Sequence, residues 1–145
     1  MAKITCVLVP LDLGESSDRT LDYAKTVAQR FDAALVLLHV VPNPYVTAAS
    51  DVYLPPPQDF LDTLVRDARA RLEEFANQLD RGALRVETVV KVGDPLLEIV
   101  AYATSRPADL VVMGTHGRTG VAHLVLGSVA ERVVRTAPCP VLTIR

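Results

Sequence analysis

Short apolar runs alternate with longer segments of helical period along almost the whole chain, and this alternation constrains the fold most. Residues 4–9 (ITCVLV) form a near-continuous apolar run, as a strand buried on both faces requires. Ser16 and Ser17 then offer a helix cap before Leu21, Ala24, Ala28 and Phe31, which recur at the spacing of one helix face. Residues 34–41 (ALVLLHVV) repeat the buried-strand pattern. Leu61, Leu64, Ala68, Leu72, Phe75 and Leu79 mark a long amphipathic helix that Gly82 is expected to close. Residues 84–92 (LRVETVVKV) alternate more and predict a strand nearer a sheet edge. Asp94 and Pro95 form a helix entrance, with the proline where its missing N–H costs nothing. Leu96, Leu97, Val100 and Ala103 are expected to follow on one face of that helix. Asp109 precedes LVVM, another buried strand, which runs into a cluster of glycines. Residues 128–135 predict a short helix, and Val141, Leu142, Thr143 and Ile144 a last strand.

The expected fold class is therefore α/β, an open five-stranded parallel sheet with helices on both faces and right-handed crossovers. A Rossmann-like sheet of this kind commonly takes the order 3-2-1-4-5, with its switch point between strands 1 and 4. Ligands of such sheets bind at the carboxyl ends of the strands beside that point. Here those ends carry Pro10-Leu11-Asp12 and Gly114-Thr115-His116-Gly117.

A chain of 145 residues predicts one domain over residues 1–145. A domain of that size buries about 68–70% of its unfolded surface and needs no disulfide or metal staple. Cys6 lies in an apolar run and Cys139 between two prolines, so two buried or half-buried thiols are expected rather than a disulfide or zinc site. The net charge of −2 has the wrong sign for general nucleic-acid attraction, and three Phe, four Tyr and no Trp leave little for stacking bases. Asp12 stops the first apolar run too early for a secretory signal, and residues 33–42 span about half a membrane. A soluble, cytosolic protein is expected. Residues 42–58, with five prolines and two tyrosines, read equally well as a lid or contact loop and as a passive linker.

The chemistry concentrates where four glycines (Gly114, Gly117, Gly120, Gly127) fall within fourteen residues. Glycines after a buried strand let backbone N–H groups converge and lack a Cβ that would obstruct a ligand. Gly127-Ser128 opens a helix whose first N–H groups have no internal partners and carry partial positive charge. Together these make a phosphate cradle, with Arg118 as cation and Thr115, Thr119 and Ser128 as hydroxyls. Each residue also has a plain structural account: Ser128 and Glu131 fit a capping box, the glycines fit a turn, and Arg118 fits a solvated loop. It is their combination at one helix entrance that favours anion binding. The P-loop pattern and GxGxxG are both absent.

Asp12 fits two roles, a carboxylate for ribose hydroxyls or a divalent ion, and a turn former after a strand. His39, inside a strand, is expected to be a hydrogen-bonded core histidine. His116 suits a phosphate contact or plain exposure, and His123 has no evident partner. No Ser-His-Asp or Cys-His spacing stands out, so a hydrolase is not supported.

Gly114-x2-Gly117-x9-Gly127-Ser128 resembles the G-2x-G-9x-G-(S/T) signature of ATP-binding universal stress proteins. The likeness extends over VLVPLDLGESS, LLHVV, VGDPLLEIVAYA, ADLVVMGTHGRTG and APCPVLTIR, nearly the whole chain. It implies that Pro10 and Asp12 approach the ribose, that Val40 borders the adenine, and that Met113 and Gly114 lie beside the nucleoside. Gly117, Arg118, Gly127, Ser128 and Val129 match the phosphate-binding turn and helix start. The resemblance also implies ATP as ligand, with Mg2+ or Mn2+ at Asp12, and a homodimer through the last strand. The chain departs from the family after Asp12, where Leu-Gly-Glu-Ser-Ser replaces the Asp-Gly-Ser of many members. Two other functions stay open: a nucleotide-free interaction module of the same fold, and a slow ATPase or phosphotransferase.

Overall fold

The central strands are apolar on both sides because helices cover both faces of the sheet. The computed structural model describes residues 2–43, 57–79, 82–115 and 126–145. Its elements run β1 (Cys6–Pro10), α1 (Ser17–Phe31), β2 (Ala34–Pro42), α2 (Gln58–Gln78), β3 (Val86–Gly93), α3 (Pro95–Ser105), β4 (Leu110–Gly114), α4 (Ser128–Thr136) and β5 (Val141–Ile144). The five strands form one parallel sheet of order β3-β2-β1-β4-β5, as expected from the alternation.

Alternate strand residues feed two separate cores. Val7, Val9, Leu35 and Leu37 pack with Leu21, Ala24 and Ala28 of α1 and Leu72, Phe75 and Ala76 of α2. Leu8, Val36, Leu38 and Val40 point the other way, against Leu96, Ile99 and Ala103 of α3 and Ala130 and Val133 of α4. Leu72 is fully buried, so Leu72→Ala would cost about 2–5 kcal/mol.

Several local expectations shift. Phe31 is 52% exposed, because α1 ends there and the chain turns through left-handed Asp32 at φ 52°. The stripe Leu96, Ile99, Ala103 faces inward on α3, while Leu97, rotated off it, is 65% exposed and Val100 only half-buried. Gly82 does not cap α2. The helix stops at Leu79, whose extended backbone and buried side chain anchor the chain to the core three residues earlier. Ser16 occupies the cap position of α1 in helical backbone and makes no side-chain cap bond.

The amino ends of the strands are fastened by side chains. The Asp109 carboxylate accepts from the Thr5 N–H and hydroxyl, both at 2.8 Å, and from the Cys6 N–H at 3.0 Å. Those bonds hold its pKa below the ordinary 3.8. Arg106, capping α3, donates to both carboxylate oxygens of Glu87 on β3 and keeps that carboxyl ionised to lower pH. Cys6 and Cys139 are free, half-buried thiols, as expected, and burial pushes both pKa values up. Among the described residues, no helix is long and apolar enough to cross a membrane.

Candidate functional site at the switch point

β1 has β2 on one side and β4 on the other, so the crevice where the winding reverses opens between β1 and β4. The two strands are in register at Leu8 and Val111, which puts Pro10 and Met113 further along, toward their carboxyl ends. Pro10 is buried and Met113 is 5% exposed. Val40 of β2 is also buried, and Val40, Met113 and Val129 share the apolar cluster under α3 and α4. Three of the expected nucleoside and phosphate neighbours, from β2, β4 and α4, therefore share one apolar surface.

The end of β1 is tied down by its neighbour. The Leu11 N–H donates to the Leu38 carbonyl at 2.8 Å, and His39 Nδ1 donates to the Leu11 carbonyl at 2.7 Å. A carbonyl can only accept, so the proton sits on Nδ1. His39 is thus the hydrogen-bonded strand histidine expected, and its partner fixes where the β1 loop departs. Asp12 follows, with Oδ1 accepting from the Gly14 N–H at 2.9 Å and from the Ser17 hydroxyl at 3.4 Å. This is an Asx-turn, the plainer of the two roles expected for Asp12. Both bonds fall on one oxygen, so the turn leaves the other carboxylate oxygen uncommitted. Between them Leu13 takes φ 64°, a left-handed conformation costly for a leucine, held by packing of its side chain on the α1 and α2 core.

The end of β4 is closed on itself. Thr115 is 3% exposed; its N–H donates to the Ile144 carbonyl at 2.9 Å, and its carbonyl accepts the Gly127 N–H at 2.6 Å. The chain thus leaves the sheet at Thr115 and returns to the same point to start α4. Gly127 is the N-cap of that helix, with φ −67° and ψ 158°, and as a glycine it has no side chain with which to cap the first turn. Ser128 is the first helical residue and not the cap, so the capping box read from Ser128 and Glu131 is not formed. Glu131 instead pairs with Arg135 one turn on, at 2.8 Å. Gly127 stands in backbone that any residue adopts; conformation alone does not require a glycine there.

Gly114 is half-buried at the end of β4. Gly117, Gly120, Arg118, Thr119, His116 and His123 lie outside the described residues, as do residues 44–56 of the proline-rich segment. Among the described residues no cluster of three or more His, Cys, Asp or Glu is placed to hold a metal.

The family model described as "Universal stress protein family" matches residues 4–145. The chain belongs to the universal stress protein family. Universal stress protein MJ0531 of Methanocaldococcus jannaschii is 32% identical over 140 residues, covering 96% of this chain and 81% of that protein. The solved structure of MJ0577 from the same organism superposes with a TM-score of 0.84 at 26% identity, over 97% of this chain and 95% of the other. A universal stress protein crystallised in complex with cAMP gives a TM-score of 0.72 at 26% identity, over 100% and 99% of the two chains.

Sequence reasoning missed the three groups that shape the β1 side of this universal stress protein site. Left-handed Leu13 has no signal in the sequence, since leucine rarely takes φ above zero. Ser17 was expected as a helix cap and instead reaches back to Asp12. The Leu11 carbonyl, as partner of His39, belongs to a strand pairing that only the assembled sheet creates.

Proposed function

We propose that this chain is an ATP-binding universal stress protein, one domain over residues 1–145, acting in the cytoplasm as a homodimer in stress response or signalling through nucleotide-dependent conformation. The observation that carries this reading is the start of α4. Among the described residues it has no side-chain cap; it begins from a glycine that its own backbone does not require and is docked on the end of β4 beside the switch point. Such an end presents unpaired N–H groups and partial positive charge to an anion. On this reading Gly127, Ser128 and Val129 bind the phosphates together with Gly117 and Arg118, the family's phosphate-binding residues. Pro10 and Asp12 border the ribose, Val40 the adenine, and Met113 and Gly114 the nucleoside. The uncommitted oxygen of Asp12 suits either a ribose hydroxyl or Mg2+ or Mn2+ held jointly with the phosphates. When bound, the metal would neutralise phosphate charge. A relative of this fold in complex with cAMP supports an adenine nucleotide as the ligand class.

The dimer reading uses the outer edge of β5. Val141, Leu142, Thr143 and Ile144 carry no charge, and Leu142 is 37% exposed, so nothing on that edge repels a second copy.

Denaturing freshly purified protein and chromatographing the released small molecules tests the ligand. An adenine nucleotide is expected, and calorimetry should then show Mg-ATP binding. Absence of both overturns the proposal. Asp12→Asn separates the two roles of that residue, because the amide oxygen still accepts from Gly14. Retained affinity with and without Mg2+ would assign Asp12 to the turn alone.

A further inference from the structure

The opposite edge of the sheet carries opposite charges at positions related by a two-fold axis. β3 is the outermost strand beyond β2, and Glu87, Lys91 and Val92 on it are exposed. The Leu35 N–H of β2 donates to the Arg85 carbonyl at 2.8 Å, which sets the parity of the ladder. In a parallel pair each residue turns both its backbone groups to the same side. Arg85, Glu87, Val89 and Lys91 thus face β2, and Val86, Thr88, Val90 and Val92 present their N–H and C=O groups outward.

An antiparallel strand can pair with that edge only where its own outward residues stand opposite these. For a second copy of β3 this requirement excludes every register that sets an outward residue against an inward one. Among those left, the register centred on Val89 sets Thr88 opposite Val90 and Val86 opposite Val92 as hydrogen-bonded pairs. It also sets Glu87 of each copy opposite Lys91 of the other, in the non-hydrogen-bonded pairs where side chains approach more closely. Shifting the axis to Thr88 or Val90 loses both charge pairs. Charges on a sheet edge usually keep a second strand away. Here the two charges have opposite sign and equal distance from one central residue, so the edge is complementary to itself.

We propose that the β3 edge is a second self-association surface, on which two copies pair antiparallel about Val89 with reciprocal Glu87–Lys91 contacts. This goes beyond the nucleotide and β5 readings and depends on neither. Arg106 already bonds Glu87 on the α3 side, which holds the carboxylate in place and extends each contact to Arg106–Glu87–Lys91. A seam of one strand pair buries less than the roughly 1,200 Å² of a stable interface, so the association is concentration- and salt-dependent.

Sedimentation velocity across a concentration series tests it, in the wild type and in a Leu142→Lys background that closes the β5 edge with a charge. Self-association is expected to persist in that background and to weaken at least tenfold in Glu87→Lys and in Lys91→Glu. Lys91→Glu keeps the Arg106–Glu87 pair, so its loss of association is not a folding defect. Mixing the two single variants rebuilds both opposite-charge contacts, and association should return, as it should in the double variant Glu87→Lys/Lys91→Glu. No association in the Leu142→Lys background, insensitivity to the single reversals, or failure of the mixture to recover would each overturn the proposal. Failure of the β5 reading gives a different result: the Leu142→Lys change then leaves the wild-type mass unaltered.

Discussion

α3 and α4 cover the same face of the sheet and begin in opposite ways. α3 starts from Asp94, whose Oδ1 accepts from the Leu97 N–H at 3.0 Å, and Pro95 follows where no donor is needed. α4 starts from Gly127, which has no side chain to cap it. The cap backbones are nearly alike, φ −78° and ψ 124° at Asp94 against φ −67° and ψ 158° at Gly127. The difference is therefore one of chemistry and not of conformation. One helix meets part of its first turn with the carboxylate of its own cap residue, and the cap residue of the other has no side chain with which to do so. α1 and α2 also lack a side-chain cap, but neither starts from a glycine bonded to the end of a strand.

Making α4 begin like α3 should have the largest effect. Gly127→Asp places a carboxylate where the proposed phosphates bind, and nucleotide affinity measured by calorimetry should fall at least about 100-fold, or ~2.7 kcal/mol. The same carboxylate caps the helix and favours its dipole, so stability should rise by about 0.5 kcal/mol, read as about 1–2 °C in Tm. Opposite signs in the two measurements are the signature; a fall in both would mean that the cap geometry is wrong. The reverse change at α3, Asp94→Ala, should cost about 1 kcal/mol of stability and about 2–4 °C in Tm. Nucleotide affinity should stay within about twofold, because that cap serves only its own helix. A larger loss of affinity would break the distinction between the two ends.

Ser128→Ala sharpens the comparison further. Ser128 is not the cap of α4, so Tm should hold, while loss of one hydroxyl bond to phosphate should weaken binding about fivefold. If Tm falls instead, Ser128 has a structural task after all. The smallest effect concerns the other end of β4, where a carboxylate does the fastening. The pKa of Asp109 is depressed in the folded chain, so its contribution is present above the ordinary value of 3.8 and is lost as pH falls through the lower folded value. Denaturant titrations between pH 5 and about 2 should show a shallower acid decline in Asp109→Asn than in the wild type.

The parallel sheet and its order were legible because buried strands need continuous apolar runs, and 34–41 and 110–113 have them. The edge position of β3 was legible from its alternation. Helix faces were read well where the stripe is long, as in Leu21, Ala24 and Ala28. They were misread at Phe31 and Leu97, where a helix end or a one-residue rotation decides exposure. The glycine pattern pointed to Gly127, yet it left the helix cap ambiguous between Gly127 and Ser128. Only the backbone resolves that choice, since the capping box and the glycine cap have the same sequence. The tie of His39 to Leu11 depends on residues far apart in the chain that strand pairing brings together, and no local pattern encodes it.

The bond from Gly127 to Thr115 has a consequence for how such a chain can change. It joins the two ends of the excursion at its base, beside the point where Thr115 is already held by β5. The entropic cost of closing a loop grows only slowly with its length, and here the closing contact belongs to the framework, not to the loop. Both atoms of that bond belong to the backbone, so side-chain changes at Thr115 leave it available, and at Gly127 only proline would remove its donor.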